Sequence, residues 1–525
     1  MDNLVERRRH SAAHVLATAA QRLFPNVKLG AGPVTNSGFY QDFEFAQPIS
    51  WEDVRNLESE MNMILQQNLS FNRLATNREQ AFSILMTRGQ LFKSELLQEI
   101  PDEEVSFYQT GEEFIDLCRG PHVESTGKIG VIKLLELTDT NWKNDSERPA
   151  MQRVSGVAFA TLAELNQYLH RLDAIKTRDF RRYLEEMELA VDVNDDFIYT
   201  PHGTTVIKLM RDQIVSKLHK ESFVGVLTSA KTELKAQLND LNSIYNHKNR
   251  SYRHLPLRLI SEQRVELSRP YKINGKNLDR VYELAAKSFC TTNNLLAESR
   301  MHLQMAIDLS EEFSLKLEAQ LTTGDPEQQV FKYWAEMLTQ RGIAQTQIIS
   351  ADTALTNCGL KLYIEDSLKR RWLFCELEFA TKLNKYVSDT GEDAYINEFN
   401  IVFILEELLG YLIEEGQGGL PFMLTPIQTV IVPISEEQTQ YAQHIEALLR
   451  AAGIRTEVDN SSETMQAKIR EAELSHVPAI LVIGEKEVNS EAVSVRLHDD
   501  QELGLIGEDI LLKTLSEVFN RGASL

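Results

Sequence analysis

Long apolar runs are missing from this chain. Nowhere do about 18 hydrophobic residues follow one another, so no membrane-spanning helix is expected. Cysteine is scarce. Cys118, Cys290, Cys358 and Cys375 are too few and too scattered for a disulfide framework, which points to a reducing compartment and a cytoplasmic location. The opening stretch Met1 to Arg9 leads straight into a helical pattern and lacks the apolar centre of a secretory signal. Positive charge is in the minority: 55 Lys and Arg stand against 77 Asp and Glu, a formal charge of -22. That balance excludes a protein that coats nucleic acid through bulk charge, and leaves only local basic patches for specific contact. Arg7, Arg8 and Arg9 form one patch; Lys176, Arg178, Arg181 and Arg182 form another. No repeat of about 20–50 residues is visible, which excludes a solenoid.

What is present suits a multidomain globular chain. At 525 residues, 42% hydrophobic and 25% charged, roughly two to four domains are expected. The spacing of Ala12, Val15, Leu16, Ala19 and Leu23 predicts a helix from Arg8 to Phe24, stopped by Pro25. A Gly-punctuated strand region over 29–45 and a helix over 51–67 follow. The stretch 102–159 reads as short strands and loops, and a long helix is expected from Thr161 through Tyr183. This first part is α+β. In the middle, helices are expected at 204–220 and 296–321, and strands at 360–364 and 372–379 around a polar turn. The last hundred residues alternate strands (428–434, 454–458, 479–483, 492–497) with helices (436–451, 463–472, 509–519), which indicates an α/β domain with a largely parallel sheet.

Two short motifs carry chemistry. His10-Ser11-Ala12-Ala13-His14 places two imidazoles one helical turn apart on the same face. Asp116-Leu117-Cys118-Arg119-Gly120-Pro121-His122 supplies a thiol and a third imidazole on a backbone tightened by Gly and Pro. If the fold brings the two together, they suit either tetrahedral zinc or metal-free positioning of a hydrolytic water.

These residues resemble the editing domain of bacterial-type threonyl-tRNA synthetases. So do Gly32-Pro33-Val34, Gly38 to Asp42, Met151-Gln152-Arg153 and Gly156 to Phe159. In that family the domain hydrolyses serine wrongly attached to the threonine tRNA. The resemblance implies that His10, His14, Lys93, Cys118 and His122 are catalytic, with Asp116 near the substrate amino group and Tyr40 and Gln41 beside the substrate. Gln41 departs from the family, which has a second tyrosine there. An aminoacyl ester is already activated, so its hydrolysis needs a placed water and stabilisation of an oxyanion, not ATP. A second, hydrolytic sieve answers the limited selectivity that binding alone achieves between substrates differing by one methyl.

The same resemblance predicts a class II synthetase core in which the activating chemistry has eroded. Ser251 to Arg258 resembles the segment before the family's second motif, and 407–415 with Pro421-Phe422 and Pro426-Ile427-Gln428 resembles the third. Glu407 stands where the family has an arginine for ATP, and Glu266-Leu267-Ser268 with Arg269 stands near an expected Arg-x-Glu. Leu238 to Leu241, Lys287 or Cys290, and Glu398 stand where the family has a cysteine and two histidines for zinc. From 424 to 519 the chain resembles the family's anticodon-binding domain, with Glu487 and Arg496 at base-contacting positions and Ser462 where relatives have an asparagine.

The expected architecture is therefore multidomain α+β and α/β: an editing domain with linker helix over 1–182, a degenerate antiparallel class II core over 183–425, and an anticodon-binding α/β domain over 426–525. The expected function is trans-editing of seryl-tRNA of the threonine acceptor without threonine activation. A non-catalytic tRNA-binding or regulatory paralogue is the second reading, and a divergent ligase the third. Editing is expected to require no cofactor, with zinc at His10, His14, Cys118 and His122 as the alternative, and ATP is not expected to bind. The expected partners are the threonine tRNA, a separate complete threonyl-tRNA synthetase and a second copy of the chain as a homodimer, without a membrane.

Overall fold

The helix carrying the two early histidines is α1 (Asn3–Leu23), longer at its start than the apolar spacing predicts. Ala12, Val15, Leu16 and Ala19 are fully buried, as their stripe requires, whereas Leu23 at the end is 39% exposed. The structure is a computed structural model and describes residues 3–35, 38–193, 196–274, 276–350, 357–498 and 501–522. It divides into two units, Met1–Ala174 and Ile175–Leu525.

In the first unit, α1 is followed by β1 (Lys28–Leu29), β2 (Phe39–Glu44) and α2 (Trp51–Gln67). Ser50 starts α2: its N–H and hydroxyl both donate to Asp53 Oδ2, at 2.8 Å each. Then come β3 (Phe71–Asn77), α3 (Arg78–Thr87), α4 (Leu91–Glu99), β4 (Glu104–Thr110), β5 (Phe114–Leu117), β6 (Val131–Asn141) and β7 (Ala150–Phe159). Two sheets result: β1-β2-β7-β6 and the smaller β3-β4-β5. The stretch expected to hold only short strands in fact contains the long antiparallel hairpin β6–β7, paired from Val131↔Phe159 to Asn141↔Ala150. Helices α1 and α2 pack their apolar stripes on the larger sheet through Leu16, Leu57, Met61, Phe39, Phe43 and Val154.

The single helix expected from Thr161 through Tyr183 is two helices. α5 (Leu162–Thr177) stops, and α6 (Phe180–Glu186) restarts behind an extended Asp179 whose carboxylate accepts from Arg181 N. An acidic N-cap satisfies the free amides of a new first turn, so it divides a pattern that periodicity reads as continuous.

The second unit continues with β8 (Ala190–Val193), β9 (Asp196–Tyr199), α7 (Pro201–Lys220), β10 (Val224–Gly225), α8 (Gln237–Asn246), β11 (Leu257–Ile273), β12 (Lys276–Cys290), α9 (Leu295–Glu312), β13 (Leu317–Thr323), α10 (Gln329–Gln340), β14 (Ala344–Ile349), β15 (Asn357–Glu365), β16 (Arg371–Val387), β17 (Asp393–Ile404) and α11 (Leu405–Glu415). Eight strands form one sheet in the order β10-β11-β12-β17-β16-β15-β13-β14, antiparallel except at its two ends. The helix expected over 296–321 ends at Glu312. Ser314 takes φ +56, and Leu317, Ala319 and Leu321, buried at every second position, belong to β13. Those leucines fit a period of two as well as one of 3.6, so a short run could not separate helix from strand.

The chain closes with β18 (Thr429–Pro433), α12 (Thr439–Ala451), β19 (Thr456–Val458), α13 (Met465–Leu474), β20 (Ala479–Ile483), α14 (Glu485–Asn489), β21 (Ala492–Leu497), β22 (Glu502–Gly507) and α15 (Glu508–Gly522). The sheet order is β19-β18-β20-β21-β22, parallel through its first three strands and antiparallel beyond. No helix of the described residues is long and apolar enough to cross a membrane.

Candidate functional site

The two early histidines and the late Cys-His pair meet. Cys118 Sγ lies 3.2 Å from His10 Nε2 and 3.3 Å from His122 Nε2. The His122 ring sits 4.3 Å, centroid to centroid, from both the His10 and the His14 ring. One donor atom from each of His10, His14, Cys118 and His122 falls within 4.8 Å of the others. The return from β5 to His122 depends on Gly120. It takes φ +71, and a Cβ there would fall 2.4 Å from Tyr108 Oη. Phe71 stacks on the other side of His122, with centroids 5.0 Å apart.

Ser11, between the two histidines, is a residue that the motif reading passed over. Its hydroxyl donates to Arg7 O at 2.8 Å and accepts from Val123 N at 3.1 Å. With that proton committed, His122 Nδ1, 3.0 Å away, must be the donor to Ser11 Oγ. His122 Nε2 is then a bare lone pair facing Cys118. His10 Nε2 faces the same thiol, and the Pro121 backbone favours the protonated form of that ring. Two imidazole nitrogens therefore converge on a thiol that owns one proton, and the thiol sulfur already accepts from Gly120 N at 3.2 Å. Such a cluster is short of protons, and a water, an ammonium or a metal ion is what it can accommodate.

Burial decides the charge state. It lowers His10, lowers His14 well below the ordinary imidazole range, and takes His122 down to about 3, with His10 adding to the last. Burial also pushes the Cys118 thiol up to about 12. All four groups are neutral at pH 7, so the thiol is a poor nucleophile and the imidazoles act as hydrogen-bond acceptors.

Lys93, at the start of α4, forms a buried ion pair with Asp116 on β5, Nζ to Oδ2 at 2.7 Å, the side chains being 7% and 5% exposed. Both charges act on the cluster: Asp116 raises and Lys93 lowers the pKa of His10. Gln90 fixes the start of α4, accepting from Leu29 N at 2.8 Å and donating to Val27 O at 3.2 Å. Tyr40 and Gln41 have partners of their own. Arg153 lies over the Tyr40 ring at 3.9 Å, and the buried Gln41 amide donates to Gly30 O at 3.1 Å and Asp42 O at 3.2 Å. A cavity of about 690 Å³ runs past Cys118, Ser106, Arg73 and Arg119 along the end of α4.

Lys287 and Glu398 in the second unit form a buried ion pair of 2.6 Å, 2% and 1% exposed. Glu407 is buried too; it accepts from Tyr271 Oη at 2.8 Å and Leu373 N at 3.2 Å, and burial raises its carboxyl to about 7. Arg258 is paired with Glu298. Lys235, just before α8, places its ammonium between Glu376 and Glu378, 2.8 Å and 2.7 Å away, while Leu238 and Leu241 of α8 pack onto the same sheet.

Near the C-terminus, Ser462 and Glu487 both follow the C-terminal ends of parallel strands. Glu487 is 9% exposed and closes the first turn of α14, accepting from Gly484 N at 3.0 Å and Ser494 Oγ at 2.8 Å. Arg496 lies opposite Ile480, pairs with Glu473 of α13 at 3.1 Å, and is not gathered with the other two. In the basic stretch 176–182, Arg178 and Arg182 pair with Glu415 and Glu186. Arg9 donates to Thr35 O at 3.2 Å.

Residues 105–155 match the family described as "Threonyl and Alanyl tRNA synthetase second additional domain", and residues 428–518 match the anticodon binding domain. The α+β unit with its His/Cys cluster and the C-terminal α/β sheet thus define an aminoacyl-tRNA synthetase-type protein with an editing-type domain. The threonine–tRNA ligase of Thermus thermophilus is 34% identical over 577 residues, covering 94% of this chain and 86% of that protein. The ligases of Deinococcus deserti and Halalkalibacterium halodurans are 32% and 30% identical, covering 93% and 97% of this chain and 84% and 88% of theirs. The solved RNA binding domain of threonyl-tRNA synthetase from Cryptosporidium parvum shares the fold at a TM-score of 0.57 and 21% identity, over 65% of this chain and 98% of that one. The chain belongs to the threonyl-tRNA synthetase family.

Proposed function

We propose that this chain hydrolyses the ester of seryl-tRNA of the threonine acceptor, in trans to a separate complete threonyl-tRNA synthetase, and does not itself activate threonine. The observation that carries the reading is the convergence of His10, His14, Cys118 and His122 beside the Lys93–Asp116 ion pair. In this reading the acceptor nitrogens of His10 and His122 hold a water, and the substrate ammonium takes one oxygen of Asp116. The water oxygen adds to the ester carbonyl, and the Lys93 ammonium stands by the oxyanion. Collapse expels the ribose oxygen, which leaves with a proton from the water, and free serine results. The donor set also fits zinc: His10, His14, Cys118 and His122 would hold the ion, which would supply Lewis acidity and an acidified water.

The class II core supports the second half of the reading. An ammonium-carboxylate pair, Lys287–Glu398, stands where the family resemblance implies zinc ligands, and that donor set does not fit a metal. Glu407 offers a carboxylate where phosphates would need a cation. We assign 1–182 to editing with its linker helix, 183–425 to a scaffold core, and 426–525 to tRNA selection, with Ser462, Glu487 and Arg496 as candidate contacts. A homodimer built on the core and a cytoplasmic site of action complete the assignment.

The test offers purified chain both seryl-tRNA and threonyl-tRNA and follows ester loss. Serine release that disappears in His10→Ala and Cys118→Ala is expected, with no threonine-dependent pyrophosphate exchange. Stable esters together with tRNA binding would establish the non-catalytic reading instead, and exchange activity would establish a ligase.

A further inference from the structure

Two cavities of the second unit meet at a shared wall, Glu188 and His202. One, of about 360 Å³, opens between Glu185, Ala190, Val191 and Pro201. The other, of about 330 Å³, has Met187 and Leu189 on one side and Ile427, Val430, Val458 and Ala472 on the other. Together they make one groove from the β8–β9 ribbon to α13. None of the residues assigned above to hydrolysis or tRNA selection lines it.

The apolar side of the groove follows from the two-residue period of its ribbon. Ala190 and Phe197 turn inward and are buried. Val191 and Ile198, paired across the two strands, turn outward with Val193 and are 56%, 53% and 41% exposed. A solvated ribbon face carries polar side chains; aliphatic ones side by side mark a surface that a partner covers.

The rim decides what kind of partner fits. Glu185, Glu188 and Glu471 are exposed, and none has an ion-pair partner among the described residues. Glu457 meets His202 at 3.7 Å. Lys468 spends its charge on Asp459, donating to its carbonyl at 2.9 Å with the carboxylate 3.9 Å away. The potential along the groove is therefore negative. Phosphates are repelled from it, which excludes RNA. A second copy of a chain with net charge -22 meets the same repulsion. Nor is this a lone-cation site: among the described residues, only His10, His14, Cys118 and His122 gather like metal ligands.

We propose that this groove docks an extended, basic segment of a partner protein in which cationic and aliphatic side chains alternate. Successive side chains of an extended segment point to opposite faces. The aliphatic ones rest on Val191, Ile198 and Ile427, while the long stems of lysine and arginine carry their charges out to Glu185, Glu188 and Glu471. Apolar contact supplies the affinity, and the unpaired carboxylates select the sign of the partner. Docking here is independent of whether the chain hydrolyses seryl-tRNA.

The test is fluorescence anisotropy of the full chain with labelled acetyl-KVRLKVR-amide at about 0.1 M salt, where distant charges are screened. Wild type should bind it, and should bind acetyl-KSRTKSR-amide and acetyl-EVDLEVD-amide at least about tenfold more weakly. Glu188→Lys with Glu471→Lys, and separately Val191→Asp with Ile198→Asp, should each weaken binding roughly tenfold. An unchanged Tm shows that both groove variants are folded. Glu336→Lys with Glu392→Lys, at exposed positions elsewhere, changes the net charge equally and should weaken binding by less than about twofold. A loss as large in that control, or equal binding of the two cationic peptides, reveals bulk attraction and overturns the proposal. Unchanged binding in both groove variants overturns it as well. So does displacement of the peptide by tRNA, which makes the groove an RNA surface. A wild-type dimer that Val191→Asp with Ile198→Asp splits into monomers makes it a self-interface and overturns the proposal too.

Discussion

The Lys287–Glu398 pair makes the sharpest quantitative demand on the core. Both groups are buried, 2% and 1% exposed, with 2.6 Å between Nζ and Oε2, so each places its charge directly against the other. Removing one partner from such a pair costs about 3–5 kcal/mol, because an uncompensated charge stays inside; replacing both with apolar groups of similar volume is close to neutral. The pair lies in the unit spanning Ile175–Leu525. For about 350 residues the unfolding entropy near the midpoint is roughly 0.7 kcal/mol per kelvin, so 4 kcal/mol corresponds to a fall in Tm of about 5–6 °C. Differential scanning calorimetry of Lys287→Met, Glu398→Met and the double variant should show each single variant about 5 °C below wild type and the double within about 2 °C of it. Zinc added to wild type should not raise this transition. If the two single effects simply add in the double variant, or if zinc stabilises wild type, the claim that an internal ion pair stands in place of a metal is wrong.

Other measurements address the editing-type site. Gly120→Ala should lower seryl-tRNA hydrolysis at least tenfold, since the new Cβ meets Tyr108 Oη at 2.4 Å in a left-handed backbone; unchanged turnover would refute the geometry. Because burial takes His122 down to about 3, the unfolded chain binds that proton near pH 6.5 and the folded chain does not. Stability should therefore fall as pH drops from about 6.5 toward 3, and NMR should find the His122 ring neutral at pH 5; a midpoint near 6.5 in the folded protein would contradict this. Hydrolysis should survive exhaustive chelation, because an activated ester needs only placed water and a stabilised oxyanion; loss on chelation with recovery on zinc would assign the metal-bound form. Glu407→Arg should lower Tm without creating pyrophosphate exchange, because the new guanidinium would lose the acceptor role that Tyr271 and Leu373 use; recovered exchange would overturn the reading of the core.

The residue order alone carried a good part of this picture. The His10/His14 spacing implies one helix face, and α1 delivers it. The wholly apolar run Ala479–Ile483 reads as a buried parallel strand, and β20 lies inside its sheet. These patterns are local, and local periodicity survives in sequence. The break at Asp179 and the switch from α9 to β13 were not legible, since a capping carboxylate and a left-handed Ser314 interrupt patterns whose apolar spacing continues.

Charge states and partners belonged to the tertiary structure. Nothing in the order of residues says that Ser11 Oγ commits the His122 tautomer, that Lys93 spends its charge on Asp116, or that Lys287 meets Glu398 across 111 positions of chain. Sequence determines which chemical groups exist and which local faces they share. The dielectric around each group and the opposite charge it meets depend on strands far apart in the chain, and only folding brings those together.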